Sequence, residues 1–418
     1  MDMEVQKEKI GYRDVLKQKE YLKIIFANLI SRFGDSLDAI AFTWLVYAVT
    51  GSAAWSAVIF AVNQLPSVLI QPFAGALVEG MNKKKLMVVT DMIRGVITAG
   101  LAVIYLTGNV NAWILLTFTI INSTVEAFRI PASMAVIPKI LEERYFSYGT
   151  SLNATLSTVV QLVGMGAAGL IIGILGIGTA IFADAISFFA SASILCFLRI
   201  KEKNLQREAL HVKKYLSTLK EGIVYLKKQE VIRNFCIMAV LINAAIVPLN
   251  SLQSPLIMEV MGQGSELLSV FSVTVTAGMG LGSFIYPFIS KRMKVRTQIV
   301  SMGLLIALGT GMYTLGNVIR PFVAGIYILT IVISFIIGSA ASIFMSVLNV
   351  QFMTVVDPNY LARVGSIFNA GACAATPVMS VMVGAATSIL SVSQIFVVSA
   401  VLCGIIFLYI GIFKVRFE

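Results

Sequence analysis

The sequence predicts an all-α integral membrane protein, with twelve transmembrane helices arranged as two six-helix bundles. Three observations predict it. The 418 residues are 58% hydrophobic and only 13% charged, with a mean hydropathy of +0.88, whereas a soluble chain carries about 25% charged residues. The apolar residues fall into about twelve runs, each near the ~20 residues that one span requires. The runs are continuous rather than alternating ten-residue segments, which favours helices over a β-barrel. Twelve spans take up roughly 240–280 residues, so no soluble domain of any size fits.

Hydropathy places the spans at 22–49, 54–78, 86–107, 112–137, 151–175, 179–199, 232–257, 266–290, 297–317, 321–354, 362–387 and 392–413. The expected organisation is a tail (1–21), a first bundle (22–199), a linker (200–231), a second bundle (232–413) and a short tail (414–418). In the linker Tyr215, Leu216, Leu219, Ile223 and Leu226 recur at helical spacing among lysines, as in an amphipathic helix lying on a membrane face. A merely solvated linker is the alternative.

The net charge is +11, and its placement explains it. Basic residues cluster at Lys7 to Lys23, Lys83–Lys85, Lys139 with Arg144, Arg199 to Arg233, Lys291 to Arg296, and Lys414 with Arg416. The alternate connections hold a single basic residue, Arg320. That is the positive-inside pattern, and it expects a cytoplasmic (inner) membrane protein with both termini cytoplasmic. The basic charge then reflects topology and attraction to anionic lipid, not nucleic acid. The polar first 20 residues read as a tail rather than a cleavable signal. The four cysteines fall in or beside spans and lack the spacing of a disulfide framework or a metal site. The one histidine, His211, sits alone in the linker. No cofactor and no metal is expected. There is no Walker loop to bind ATP, and no nucleophile–base set that would make an enzyme.

The embedded charges are the candidate functional groups. Asp35, Asp38, Glu126 and Asp184 interrupt apolar runs before residue 200, while the later acids Glu259, Glu266 and Asp357 lie near expected loops. An ionised side chain in hydrocarbon costs roughly 2.5–3.5 kcal/mol on insertion scales, so such residues mark ion or substrate paths. The four early acids are therefore the expected proton-coupling residues, in a transporter whose ion-sensitive chemistry lies in its first half. Arg32, Asp35 and Asp38 share one helix face. Either Arg32 and Asp35 neutralise each other, or Asp38, with no cation one turn away, takes a proton. Glu126 and Arg129 are spaced for an intrahelical pair, which would line a cavity or lock two helices. Asp184 serves either a proton or a structural hydrogen bond. The polar residues Arg32, Trp44, Asn122, Arg129, Gln161, Asn243, Asn250 and Asn349 are the candidate substrate-cavity residues. Their other reading is helix–helix hydrogen bonding, modest at about 0.6 kcal/mol each.

Several motifs follow in order: Ser31-Arg-Phe-Gly34-Asp35, Thr50-Gly51-Ser52, Gly75-Ala-Leu-Val-Glu79-Gly-Met-Asn82-Lys83-Lys84-Lys85, Asp91-Met-Ile-Arg94, Ala127-Phe128-Arg-Ile-Pro131, Asp184-Ala-Ile-Ser187-Phe188 and Arg363-Val364. Gly149-Thr-Ser-Leu-Asn153-Ala154 and Gly365-Ser-Ile-Phe-Asn369-Ala370 open the fifth and eleventh spans alike, as parallel repeats would. Together these resemble the major facilitator superfamily, and within it the drug- and siderophore-exporting branch that includes macrolide efflux proteins and enterobactin exporters. The resemblance implies two six-helix bundles, alternating access around a central cavity, and coupling to the proton gradient. The chain departs from the family pattern in three places. Gly80 stands where the inner-loop signature has arginine, Asn122 replaces the usual arginine of the fourth span, and Gly164-Met165 replaces the antiporter Gly-Pro.

The function expected is proton-driven export of amphipathic or hydrophobic organic molecules. The alternatives are a proton-coupled importer of a small nutrient, and a lipid flippase or non-transporting receptor. The expected partners are a small-molecule substrate, protons and membrane lipids, and the chain is expected to act as a monomer. Gly75, Glu79, Lys83, Lys84, Asp91, Arg94 and Arg363 form the expected gating set. Glu79 or Asp91 would latch onto the basic loop Lys291–Arg296, which has no acid of its own. Plain topological anchoring is the other reading for the lysines.

Overall fold

The computed structural model describes residues 12–70, 74, 78, 81–200, 229–356 and 361–413. Among the described residues there are twelve helices of 17 to 33 residues. They are α1 Lys19–Thr50, α2 Ala53–Leu69, α3 Lys83–Leu106, α4 Ala112–Ile140, α5 Phe146–Leu175 and α6 Ile177–Cys196, then α7 Glu230–Ser251, α8 Ser265–Ser290, α9 Val295–Met312, α10 Val323–Val355, α11 Leu361–Ala386 and α12 Val392–Ile412. Nine helices among the described residues are long and apolar enough to cross a membrane. The protein is an all-α, multi-pass membrane protein.

Local chemistry sets the helix ends. Asn82, Asn111 and Ser391 cap α3, α4 and α12, each side chain accepting a backbone N–H of the first turn. At the far end of α1, Gly51 takes the left-handed conformation and closes the helix on Tyr47 O. The expected span 232–257 is interrupted. Pro255 has no N–H to return to the carbonyl of Ser251, so α7 stops there and the chain continues as a short turn and a π-helical turn, Leu256–Met261. Of the expected span 54–78, Ala53–Leu69 is described as one helix and Ala74 and Val78 are helical; residues 71–73 and 75–77 lie outside the described residues. Gly75, Glu79 and the linker 201–228 lie outside the described residues, as do the side chains of 361–372, Arg363 among them.

Five pairings in the first six helices recur in the last six. Helix α1 packs on α5 and α6, α4 on α2 and α3, and α3 on α6; likewise α7 packs on α11 and α12, α10 on α8 and α9, and α9 on α12. Very close approaches use small residues. A Cβ at Gly34 would collide with Ser187 and Asp184 of α6. Gly278, Gly282 and Gly338 bring the backbones of α8 and α10 together, with Ser339 Oγ donating to Gly278 O at 3.0 Å.

The end that carries Lys19, Lys84 and Cys196 is called proximal, and the other distal. The contacts that join the two sets of six helices gather distally. Gly384 of α11 meets Ala54 and Ala57 of α2, and Gly169 and Gly173 of α5 meet Glu266 and Ser269 of α8. Ser254 Oγ donates to Thr43 O at 3.0 Å, and the Tyr47 hydroxyl donates to Glu259.

Candidate functional site

A cavity of about 290 Å3 lies against α1, α2 and α4, with Asn250 and Ser251 of α7 closing one side. Helix α1 supplies a continuous stripe: Asp35, Asp38, Ala39, Phe42, Thr43 and Val46 follow one another at helical spacing. Helix α2 adds Ser56, Ile59, Phe60 and Asn63, and α4 adds Asn122 and Glu126. The lining thus combines a few carboxylates and amides with aromatic and aliphatic side chains, the usual make-up of a small-molecule pocket.

Arg94 organises the charged part of the lining. It projects from α3, is 4% exposed, and donates through Nη2 to Asp35 Oδ1 at 3.0 Å. The same Nη2 lies 3.8 Å from Glu126 Oε2, and Nε donates to Asn122 Oδ1 at 3.0 Å. Behind it the guanidinium stacks on the Phe188 ring of α6, 4.2 Å from the centroid. Such a desolvated cation–π contact adds up to about 2 kcal/mol and fixes the plane of the fork. One cation therefore faces two carboxylates, from α1 and α4. The motif reading missed an arginine at 122; here the guanidinium reaches Asn122 from the neighbouring helix.

Asp38 Oδ1 is buried and has no hydrogen-bond partner among the described residues. Asp184 is 2% exposed and accepts from Ser187 Oγ at 3.3 Å, against Gly34. It is not among the cavity-lining residues.

A second buried network lies one turn towards the proximal end. Asp91 is fully buried. It accepts from Arg129 Nε at 2.8 Å, Arg129 Nη2 at 3.4 Å and Ser191 Oγ at 2.7 Å. Arg129 Nη2 also donates to Asn28 Oδ1 at 3.1 Å. This unit ties α1, α3, α4 and α6 together, and its charges are matched within the first six helices.

Several expected pairings give way to better partners on other helices. Arg32 does not pair with Asp35; it donates to Gln161 Oε1 at 3.1 Å, while Asp35 takes Arg94. Arg129 does not pair with Glu126; it takes Asp91 with both Nε and Nη2. The Arg129–Asp91 contact is two-pronged, Nε on Oδ1 and Nη2 on Oδ2, and such bidentate pairs are stronger than single contacts. Asp91 and Arg94, expected in the gating set, are buried within the first six helices, with Asp91 taken by Arg129 and Arg94 by Asp35. Lys84 Nζ donates to Cys196 O at the end of α6 at 2.7 Å, and Lys83 Nζ donates to Met81 O at 3.2 Å.

Of the expected cavity residues, Arg32, Asn122 and Asn250 line the cavity. Trp44 packs instead on the apolar core around Leu37 and Leu45. Asn243 donates to Ala239 O on its own helix at 2.8 Å, and Asn349 is exposed on α10. Phe42, Val46, Ile59, Phe60 and Asn63 enter as site residues that were not among the candidates, and Phe188, part of the Asp184–Phe188 motif, enters as the ring behind Arg94. The signal for the first two was present: Asp35, Asp38, Phe42 and Val46 form one stripe.

Known proteins match this architecture. Residues 24–369 match the family model of the Major Facilitator Superfamily, and the chain belongs to that family. It is a transporter of small molecules by family. It is similar to the multidrug efflux pump Tap of Mycolicibacterium fortuitum, 24% identical over 88% of this chain and 89% of that protein. It is also similar to macrolide efflux protein A of Streptococcus pyogenes, 19% identical over 92% and 93%. Among solved structures, the nucleoside transporter NupG superposes with a TM-score of 0.76 at 12% identity, covering 95% of this chain and 100% of that one. That likeness shows the fold alone.

Proposed function

We propose that the protein exports amphipathic or hydrophobic organic molecules in exchange for protons, by alternating access across the cytoplasmic (inner) membrane, with both termini on the cytoplasmic side. The observation that carries this reading is the Arg94 guanidinium, shared between Asp35 and Glu126 at a cavity that Phe42, Val46, Ile59 and Phe60 also line. A proton on Asp35 removes the partner at 3.0 Å and leaves Arg94 to Glu126 and Asn122. A cavity whose charge balance changes with one proton binds substrate differently in its two protonation states, which is what exchange requires. The apolar lining suits a hydrophobic substrate body. The efflux functions in the names of the similar proteins Tap and macrolide efflux protein A support the export direction.

In this reading the bundles 22–199 and 232–413 rock about the cavity, joined by the segment 200–231. The distal contacts are the closed gate of one access state, and the proximal side is cytoplasmic because the basic clusters lie there. The test is accumulation of a lipophilic fluorescent dye in energised cells. Cells that make the protein should hold less dye than control cells, an uncoupler should abolish the difference, and Asp35→Asn should abolish it at an unchanged protein level. A dye panel with no uncoupler-sensitive effect overturns the proposal, and uncoupler-sensitive uptake reverses its direction.

A further inference from the structure

The proximal ends of α1, α3 and α6 enclose a cavity of about 640 Å3 outside the transport site. Four of its lining side chains are basic: Lys19 and Lys23 of α1, Lys84 of α3, and Arg199 just beyond α6. Its one carboxylate, Glu20, is already engaged at both oxygens, by Lys23 Nζ at 2.7 Å and by the Arg199 backbone N–H at 2.7 Å. The last carbonyls of α6 would repel an anion, but Lys84 covers Cys196 O at 2.7 Å and Lys23 covers Phe197 O at 3.0 Å. Helices α1 and α3 both begin here, so the positive ends of two helix dipoles face the cavity. The site is built for an anion.

What lies beside it selects the kind of anion. On α1, Lys19, Lys23 and the 56% exposed Phe26 stand at i, i+4 and i+7. The phenyl ring is therefore about 10 Å further along the axis than Lys19. Phe197, 72% exposed, projects at the end of α6, and Val89 and Met92, 43% and 44% exposed, follow on α3 below Lys85. The cations thus sit beside two exposed, outward-facing phenyl rings, Phe26 and Phe197. A free phosphate or a nucleotide uses only the cations. A phospholipid uses both, with its phosphate among the lysines and an acyl chain along Phe26 and Phe197.

We propose that this cavity holds the headgroup phosphate of an anionic phospholipid, which clamps the starts of α1 and α3 to the end of α6. The test uses the full chain in detergent. Short-chain phosphatidylglycerol, phosphatidylcholine of the same chain length, and inorganic phosphate are each titrated while the unfolding midpoint is followed, and retained lipid is counted by native mass spectrometry. Phosphatidylglycerol should raise the midpoint and stay bound, whereas the other two should not. Removing cations with Lys19→Gln, Lys84→Gln and Arg199→Gln together should weaken its apparent affinity by about fivefold per cation removed. Lys291→Gln, in the other proximal loop, should change nothing. The exposed single variant Arg199→Gln carries the test alone if the triple variant does not fold. Phe197→Gln keeps every cation and should weaken phosphatidylglycerol binding. Unchanged affinity in the cation variants, an equal loss in Lys291→Gln, or an equal midpoint rise with inorganic phosphate overturns the proposal.

Discussion

The Tyr47 hydroxyl at the distal end of α1 donates to the carboxylate of Glu259 in the π-helical turn after α7, and this contact spans the first and last six helices. The bond exists because Pro255 breaks the helix and lets the turn fold over α1. Ser254 Oγ, on Thr43 O at 3.0 Å, fastens the same turn one step earlier. A hydrogen bond to a charged acceptor contributes about 1.5–3 kcal/mol when buried, and less here because Glu259 is exposed.

Tyr47→Phe removes the donor and keeps the ring. The distal ends should then separate in a larger share of molecules, by about tenfold for each 1.4 kcal/mol lost. Spin labels at the exposed Asn109 and Ser388 report the separation. A distance distribution equal to that of the parent counts against a latch at this contact.

The Asp91–Arg129 pair makes a different prediction, because it lies inside one set of helices. Asp91→Ala leaves a guanidinium without its carboxylate in a site where Asp91 is fully buried and the Arg129 side chain is 11% exposed. Breaking a buried pair on one side costs about 3–5 kcal/mol. The unfolding midpoint in detergent should fall clearly, and the double variant Asp91→Ala with Arg129→Met should be more stable than the single one. A single variant as stable as the parent would show that the network is not structural.

Glycine positions give a paired test of helix packing. A Cβ at Gly34 collides with Ser187 and Asp184, whereas one at Gly100 meets nothing within 4 Å. Gly34→Ala should cost about 1–3 kcal/mol through forced separation of α1 and α6. Gly100→Ala should be neutral or gain about 0.5–1 kcal/mol from helix propensity. Thermal unfolding of the two variants, measured together, checks the sign of each.

The architecture was legible because spans are set by the bilayer, and a bilayer leaves little choice. Each of the twelve expected runs overlaps a long helix among the described residues. The embedded carboxylates were equally legible, since each interrupts an apolar run. Their partners were not. Helical spacing names neighbours on the same helix, so it offered Asp35 to Arg32 and Glu126 to Arg129. The partners that won come from other helices: Arg94 of α3 for Asp35, and Asp91 of α3 for Arg129. Glu259 lies in the connection between α7 and α8, near the loop where it was expected, but nothing local to it shows that Pro255 would turn it toward Tyr47. Depth also misled. Asp91 and Arg94 lie two to three turns beyond Lys83, which already puts them in the bundle interior.

The last prediction concerns the cation at the cavity wall. Asn122 on α4 is met by Arg94 Nε from α3 at 3.0 Å, so the two positions address the same point in space. Asp35 and Glu126 see a positive charge there, whichever helix carries it. Arg94→Asn should abolish uphill dye export, since both carboxylates then lack their shared cation. Adding Asn122→Arg places a guanidinium on α4 beside the same carboxylates. It loses the stacking on Phe188, which is specific to the approach from α3. The double variant should therefore recover uncoupler-sensitive export in part, with an unfolding midpoint between those of the parent and Arg94→Asn. No recovery in the double variant, at an equal amount of folded protein, would show that the geometry of the α3 arginine, and not its charge, is what the cavity requires.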